Sequence, residues 1–401
     1  MEVLQKLFEM TAMGELIQEP RSVLMILIAL GLLYLGIQKR YEPLLLVPIA
    51  FGVLLANIPT GNMAVVSSSL NPEIEHLTML EIAKEFGIMN LLYYSLIKTS
   101  LLPPLIFMGV GALTDFGPML RNLRLAFFGA AAQIGIFTVL ISAVLLGFSL
   151  QEAASLGIIG GADGPTAIYT SIILAPQLLG PIAIAAYSYM ALVPVIIPWV
   201  VRLLVSKQEL QINMKEQEKK YPSKVKIKNL KTVKILFPIV LGIIVSILVP
   251  SSVPLLGMLL FGNLVKEIGA DTSRLYKAAS DTILNVATIF LGLTVGATMT
   301  ASTFLNTETL MIVAGGFIAF AISIAGGIMA VKIVNIFSKK KINPLIGATG
   351  LSAVPMAARV ANDIALRHDP RNHLLQYAMS SNISGVIGSA VAAGVLISFL
   401  S

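Results

Sequence analysis

"GGADGP", residues 160–165, decides how this chain is read. Between Arg124 and Arg202 there are two charges, Glu152 and Asp163, and Asp163 lies inside the hexapeptide. The flanks are apolar enough for hydrocarbon, yet the carboxylate sits among residues that break a helix. Glycines permit φ > 0 and close approach, and Pro165 removes an amide donor. An unwound backbone in a bilayer leaves amides and carbonyls unpaired, and it survives only where protein or a wet cavity satisfies them. Such a break, with an ionisable group inside it, is a functional site by default.

The rest of the chain supplies the membrane context. Of 401 residues, 56% are hydrophobic and 12% are charged, against about 25% charged in a soluble domain. Apolar runs of bilayer length recur, which makes this an all-α, polytopic membrane protein. The absence of cysteine excludes a disulfide framework, a thiolate metal site and a cysteine nucleophile. His76, His368 and His373 have no metal-ligand spacing. The net charge of +7 concentrates in short polar segments, the pattern of cytoplasmic loops and not of a nucleic-acid binder.

Spans are predicted at about 22–37, 43–58, 91–112, 124–149, 179–204, 234–249, 252–265, 278–299, 310–335 and 374–400. Residues 1–20 read as an interfacial amphipathic helix. Two further apolar stretches, 153–176 and 342–366, are interrupted by Gly and Pro. Basic segments at Lys39-Arg40, Arg121 with Arg124, 205–233 and Lys339-Lys340-Lys341 are assigned to the cytoplasm. Parity then constrains the interrupted stretches. Span 124–149 leaves the cytoplasm and 179–204 returns to it, so 153–176 enters from outside and goes back. By the same count 342–366 dips in from the cytoplasm. The chain divides into a first membrane repeat, 21–204, a basic cytoplasmic linker, 205–233, and a second repeat, 234–401. Each repeat has about five spans and one re-entrant hairpin, in opposite orientation, as in elevator-type transporters. A weak echo between "IFMGVGALT" (106–114) and "IFLGLTVGAT" (289–298) agrees; twelve ordinary spans are the alternative.

Within the hairpins, candidate ligands are oxygens. The first break, 160–166, offers Asp163 and the Thr166 hydroxyl. The second offers Asn343, Thr349 and Ser352 around Gly347 and Gly350, with Arg359 about two turns on. The closing spans contribute Tyr189 and Asn382. One firm carboxylate among neutral oxygens suits Na⁺ or H⁺ better than a soft metal. Each residue also has a plainer reading. Asp163 caps a buried helix, Tyr189 packs between helices, Asn382 glues helices together, and Arg359 pairs with Asp363.

Two long runs, "GGADGPTAIYTS" (160–171) and "GLSAVPMAARVAN" (350–362), are followed by "SGVIGSAVAAGVL" (384–396). In order and spacing they resemble the β subunits of sodium-ion-translocating, biotin-dependent decarboxylases, from about residue 20 to the end. One departure is "MSSN" at 379–382, where many relatives have "MGPN". The resemblance implies a carboxybiotin decarboxylase of the bacterial cytoplasmic membrane, coupling decarboxylation and proton consumption to Na⁺ export. It implies carboxybiotin presented by a separate biotin carrier, a carboxyltransferase subunit, a small membrane γ/δ-type subunit and a homo-oligomeric membrane subunit. The subunit would hold no organic cofactor of its own. Asp163, Tyr189 and Arg359 would act in catalysis, with Arg359 and Asn343 on carboxybiotin. Asp163, Thr166, Asn343, Gly347, Ser352 and Asn382 would serve Na⁺. Fold logic alone leaves a second reading, an elevator-type Na⁺-coupled secondary transporter of a small organic anion.

Overall fold

Lipid solvates no backbone, so a chain this apolar closes its hydrogen bonds within helices. The computed structural model describes residues 11–40, 43–66, 71–222, 229–353 and 355–401, and among these there is no strand. Seven helices are long and apolar enough to cross a membrane, or nine if two bent pairs are each one span.

The first half runs α1 (Met13–Gln18), α2 (Pro20–Ile37), α3 (Pro43–Ala56), α4 (Met79–Ile97), α5 (Leu102–Leu113) and α6 (Leu123–Leu145). It continues with α7 (Leu150–Ile158), α8 (Gly164–Leu174) and α9 (Leu179–Leu204). The second half runs α10 (Leu230–Leu248), α11 (Val253–Ile268), α12 (Ala270–Ala297), α13 (Thr307–Phe337), α14 (Leu345–Ala348), α15 (Met356–His368) and α16 (Leu375–Leu400).

Several elements differ from the sequence expectation. The span read at 91–112 is two helices, α4 and α5, bent by 68°. Ser100 at φ 61° and the Pro103-Pro104 pair at the start of α5 account for the break. The span at 124–149 is interrupted at Gln133, and α3 has 14 residues. At about 1.5 Å per residue, α3 is shorter than the roughly 30 Å hydrocarbon core. The segment 205–233 is more than a linker: helices Lys207–Leu210 and Met214–Lys220 pack beneath the second broken stretch. Of the interfacial helix expected at 1–20, residues 1–10 lie outside the described residues.

Hydrogen bonds and ion pairs gather the helix ends into two sets. In one set Lys234 bridges Asp115 (2.6 Å) and Glu267 (3.2 Å), joining the ends of α5, α10 and α11. Burial pushes Asp115 up, but the Lys234 hydrogen bond, the Gly117 amide and the Lys234 and Lys266 charges outweigh it and hold its carboxyl below the usual range. Lys332, near the end of α13, reaches the Leu204 carbonyl and Glu209 in the same set. In the other set Asn57 donates to the Met299 carbonyl, and Ser398 to Ser251.

In each interrupted stretch the two ends lie together. Glu152 of α7 meets Gln177 beyond α8 (3.0 Å). Asn343 before α14, and Asp369 and Asn372 after α15, all meet residues 210–213. The apolar core groups whole helices instead. One cluster joins α6, α7, α9, α13, both arms of the second stretch and α16; a second joins α2 to α5 with α12. Ile168 of α8 and Leu179, Ala183, Ile184 and Tyr187 of α9 reach into the second cluster, and a third cluster joins α10 and α11 to α16.

Candidate functional site

Two helix breaks meet at the centre of the first cluster. On the first, α7 tightens into a 3₁₀ turn, Ile159–Gly161, and Ala162 takes the left-handed conformation at φ 58°. That conformation is costly for a residue with a Cβ, and it turns the chain so that Asp163 starts α8. On the second, α14 is a single turn, and residues 349–353 and 355 run without α-helical structure into α15. The tips bond directly, the Ser352 amide donating to the Gly161 carbonyl (3.2 Å).

Asp163 is 5% exposed and belongs to both breaks. Its Oδ1 accepts from the Thr166 amide at the start of α8 (3.2 Å), so the plainer capping role is real. Its Oδ2 accepts from the Ser389 hydroxyl of α16 (2.7 Å), and Ser389 Oγ lies 2.8 Å from Ser352 Oγ. Each hydroxyl has one proton, so the chain runs Ser352 to Ser389 to Asp163. A carboxylate accepts about four hydrogen bonds; these use two, leaving capacity on both oxygens for a cation. Close by, the Thr166 hydroxyl oxygen is buried without a hydrogen-bond partner.

The flanking helices hold the tips. The Asn382 amide donates to the carbonyls of Thr349 (3.1 Å) and Leu351 (2.5 Å), leaving its own oxygen unpartnered. Gln133, at the interruption of α6, donates to the carbonyls of Gly129, Gly350 and Gly385, and its oxygen too is unpartnered. From α13, Ser323 donates to the Gly160 carbonyl. Buried acceptors without donors are uncommon in folded proteins, and three of them surround these two tips.

A cavity of about 510 Å³ opens from Asp163 and Ser352 towards the second cluster, lined also by Tyr187, Met356, Ile106 and Asn285. Arg359 lines its wall. Arg359 is exposed, and among the described residues it does not make the expected ion pair with Asp363.

Other expected residues lie elsewhere. The structure does not bring Asn343 to the cluster. Its amide is spent on the Leu210 and Ile212 carbonyls and its oxygen on the Leu345 amide, which pins the hairpin to the 205–222 segment. Gly347 faces the backbone of Gly327 on α13, where a Cβ would overlap a carbonyl, so its local role is close packing. Tyr189 turns towards Phe317 and Phe320. The tyrosine beside the first break is Tyr187, whose ring covers Gly164. Sequence reasoning missed Tyr187, Gln133 and Ser389. For Ser389 a signal existed: it follows Asn382 by two helical turns and so shares its face.

The class of molecule is now defined: a multi-pass, all-helical membrane protein in which two interrupted helical stretches meet at a buried carboxylate. The profile of the family described as "Na+-transporting oxaloacetate decarboxylase beta subunit" matches residues 21–400. The chain is 49% identical to the methylmalonyl-CoA decarboxylase subunit beta of Propionigenium modestum over 383 residues, 94% of each protein. It is 46% identical to the oxaloacetate decarboxylase beta chain 2 of Salmonella typhi, over 94% of this chain and 95% of that one. A second methylmalonyl-CoA decarboxylase subunit beta, from Veillonella parvula, is 46% identical over 95% and 93%. The chain belongs to the beta-subunit family of Na⁺-transporting decarboxylases, as the membrane subunit of a decarboxylase Na⁺ pump.

Proposed function

We propose that this subunit decarboxylates carboxybiotin, delivered by the biotin carrier of a separate subunit, with consumption of a proton, and couples the reaction to Na⁺ export across the bacterial cytoplasmic membrane. The observation that carries the reading is Asp163, a buried carboxylate at the junction of two helix breaks with free acceptor oxygens beside it. In that reading Asp163, Thr166 and Ser352 supply ligands to Na⁺, the transported substrate, and Ser389 joins them. Asn382 and Gln133 hold the second tip in register. Arg359 is placed in the cavity wall to attract the carboxylate of carboxybiotin, since a guanidinium pairs with carboxylates in a fixed fork. Desolvation in the same cavity favours loss of CO₂. One buried carboxylate cannot hold both a proton and Na⁺ at full strength, and this exclusion links the two. Tyr187, on the cavity side, is better placed for proton delivery than Tyr189.

We further infer that the halves are an inverted repeat whose first cluster moves against the second. Support comes from helix pairing, most of which recurs when the halves are exchanged. The pair α2 and α3 corresponds to α10 and α11, and α5 with α11 to α12 with α3. Likewise α6 with α16 corresponds to α13 with α9, and α8 with α9 to α15 with α16. Each half also has a π-helical turn in corresponding places, Tyr93–Ile97 and Ala278–Ile283.

The test is Asp163→Asn, which keeps the shape and removes the charge. In inverted vesicles containing the whole complex, Na⁺ uptake driven by carboxybiotin should fall by about a hundredfold or more. Full Na⁺-dependent decarboxylation of free carboxybiotin by this variant would overturn the assignment.

A further inference from the structure

Away from the Asp163 site, a cavity of about 770 Å³ lies between the start of α6, the end of α13 and the 205–222 segment. Arg121, Arg124, Lys339 and Lys340 line it, and no described lining residue is acidic. The nearby Glu218 is engaged by the Tyr377 hydroxyl (2.6 Å). Apolar side chains form the remaining wall: Leu123 and Phe337 are 65% and 85% exposed.

Both walls continue along their helices. On α13 the exposed residues Met329, Ile333, Ile336 and Phe337 recur at helical spacing, and on α6 so do Leu123, Phe127, Ile134, Phe137 and Ile141. Two apolar stripes therefore run from a pocket that carries four cations at one end. An amphiphile with an anionic head and hydrocarbon chains matches this profile, whereas an acidic soluble protein would satisfy the cations and leave the stripes uncovered.

We propose that this cavity binds an anionic phospholipid of the surrounding bilayer, its phosphate held among Arg121, Arg124, Lys339 and Lys340 and its acyl chains lying along α6 and α13. The proposal rests on the proposed inverted-repeat topology, in which the basic segments are cytoplasmic and these cations stand at that membrane edge. Through Ile342 and Tyr377, both in the lining, the lipid sits beside the start of the second broken stretch and of α16.

The experiment measures lipid retained by the purified complex, by native mass spectrometry, from vesicles of equal parts dioleoylphosphatidylglycerol and dioleoylphosphatidylcholine. The wild type should retain phosphatidylglycerol with about tenfold preference. The combined variant Arg121→Gln, Arg124→Gln, Lys339→Gln, Lys340→Gln should lose that preference, while Lys219→Gln, Lys220→Gln and Asp163→Asn should keep it. Should the combined variant not fold, Arg124→Gln and Lys340→Gln singly must each reduce the preference, and Arg124→Lys must restore it. No preference in the wild type, or an undiminished one in these variants, overturns the proposal. So does loss of biotin-carrier binding with lipid retention intact, which would mark a protein dock. Labelling of Lys339→Cys by an impermeant thiol reagent reads the sidedness separately, so an error in topology is distinguishable from an error about the lipid.

Discussion

The protein donors to the Asp163 carboxylate are few and neutral, and on the proposed function this is what leaves its occupancy exchangeable. Two hydrogen bonds, from the Thr166 amide and the Ser389 hydroxyl, orient it without a counter-charge. A lysine or arginine in that place would pair it permanently and exclude a cation. Ser389→Ala therefore isolates the orientation of the carboxylate from its charge. The variant removes the donor to Oδ2 and the link to Ser352, a loss of about 1–3 kcal/mol at a buried charged acceptor. The half-saturating Na⁺ concentration should rise by about tenfold, with maximal turnover less affected; an unchanged Na⁺ dependence would remove Ser389 from the site. Legibility differed between these residues for a physical reason. Asp163, Thr166 and Ser352 announce themselves because they lie where glycine and proline interrupt an apolar run. Ser389 and Gln133 sit in long apolar helical runs, where a polar side chain reads as helix glue and only the partner's position shows otherwise. Asn343 lay in the right kind of sequence but bonds to a segment whose placement no local pattern reveals.

At the level of elements, the hairpin tips depend on close backbone approaches as much as on polar contacts. Gly347 of α14 stands against Gly327 of α13, and a Cβ on either would enter the other's carbonyl. A Cβ on Gly385 would likewise enter the Gly350 carbonyl, and one on Gly350 would meet Ala132 and the Phe128 carbonyl. Backbone cannot yield as a flexible side chain does, so an added methyl group costs about 1–3 kcal/mol through displacement of the arm. If Gly347 acts by packing, Gly347→Ala and Gly327→Ala should be interchangeable. Both should lower the thermal unfolding midpoint and reduce turnover to a similar extent, since both displace the arm that ends at Ser352. A Gly347→Ala variant with altered Na⁺ dependence but wild-type stability, beside a silent Gly327→Ala, would return Gly347 to the ion site. The broken stretches themselves were legible from glycine and proline in apolar surroundings. The bend between α4 and α5 had a signal in Lys98 to Pro104 that the reading of one span passed over, whereas the interruption at Gln133 had none beyond one polar residue, because apolar sequence continues through it.

Across the whole molecule, the proposed inverted repeat requires both breaks to reach the same depth from opposite faces. Charge parity leads to that expectation from loops alone, and in each interrupted stretch the two ends lie together, as a re-entrant stretch requires. Those bonds establish which ends lie together; which set faces the cytoplasm is a matter of the basic residues. The absence of cysteine makes this directly measurable, since any introduced thiol is unique. Gln151 and Gln177 are exposed at the two ends of the first hairpin, and Lys339 and Arg371 flank the second. In right-side-out vesicles an impermeant maleimide should label Gln151→Cys and Gln177→Cys, and should label Lys339→Cys and Arg371→Cys only after permeabilisation. A hairpin that truly spans would split its own pair between the two conditions. That outcome would place the ends of α7 and α8 on opposite faces, remove the first break from the meeting point and leave Asp163 without the second tip beside it.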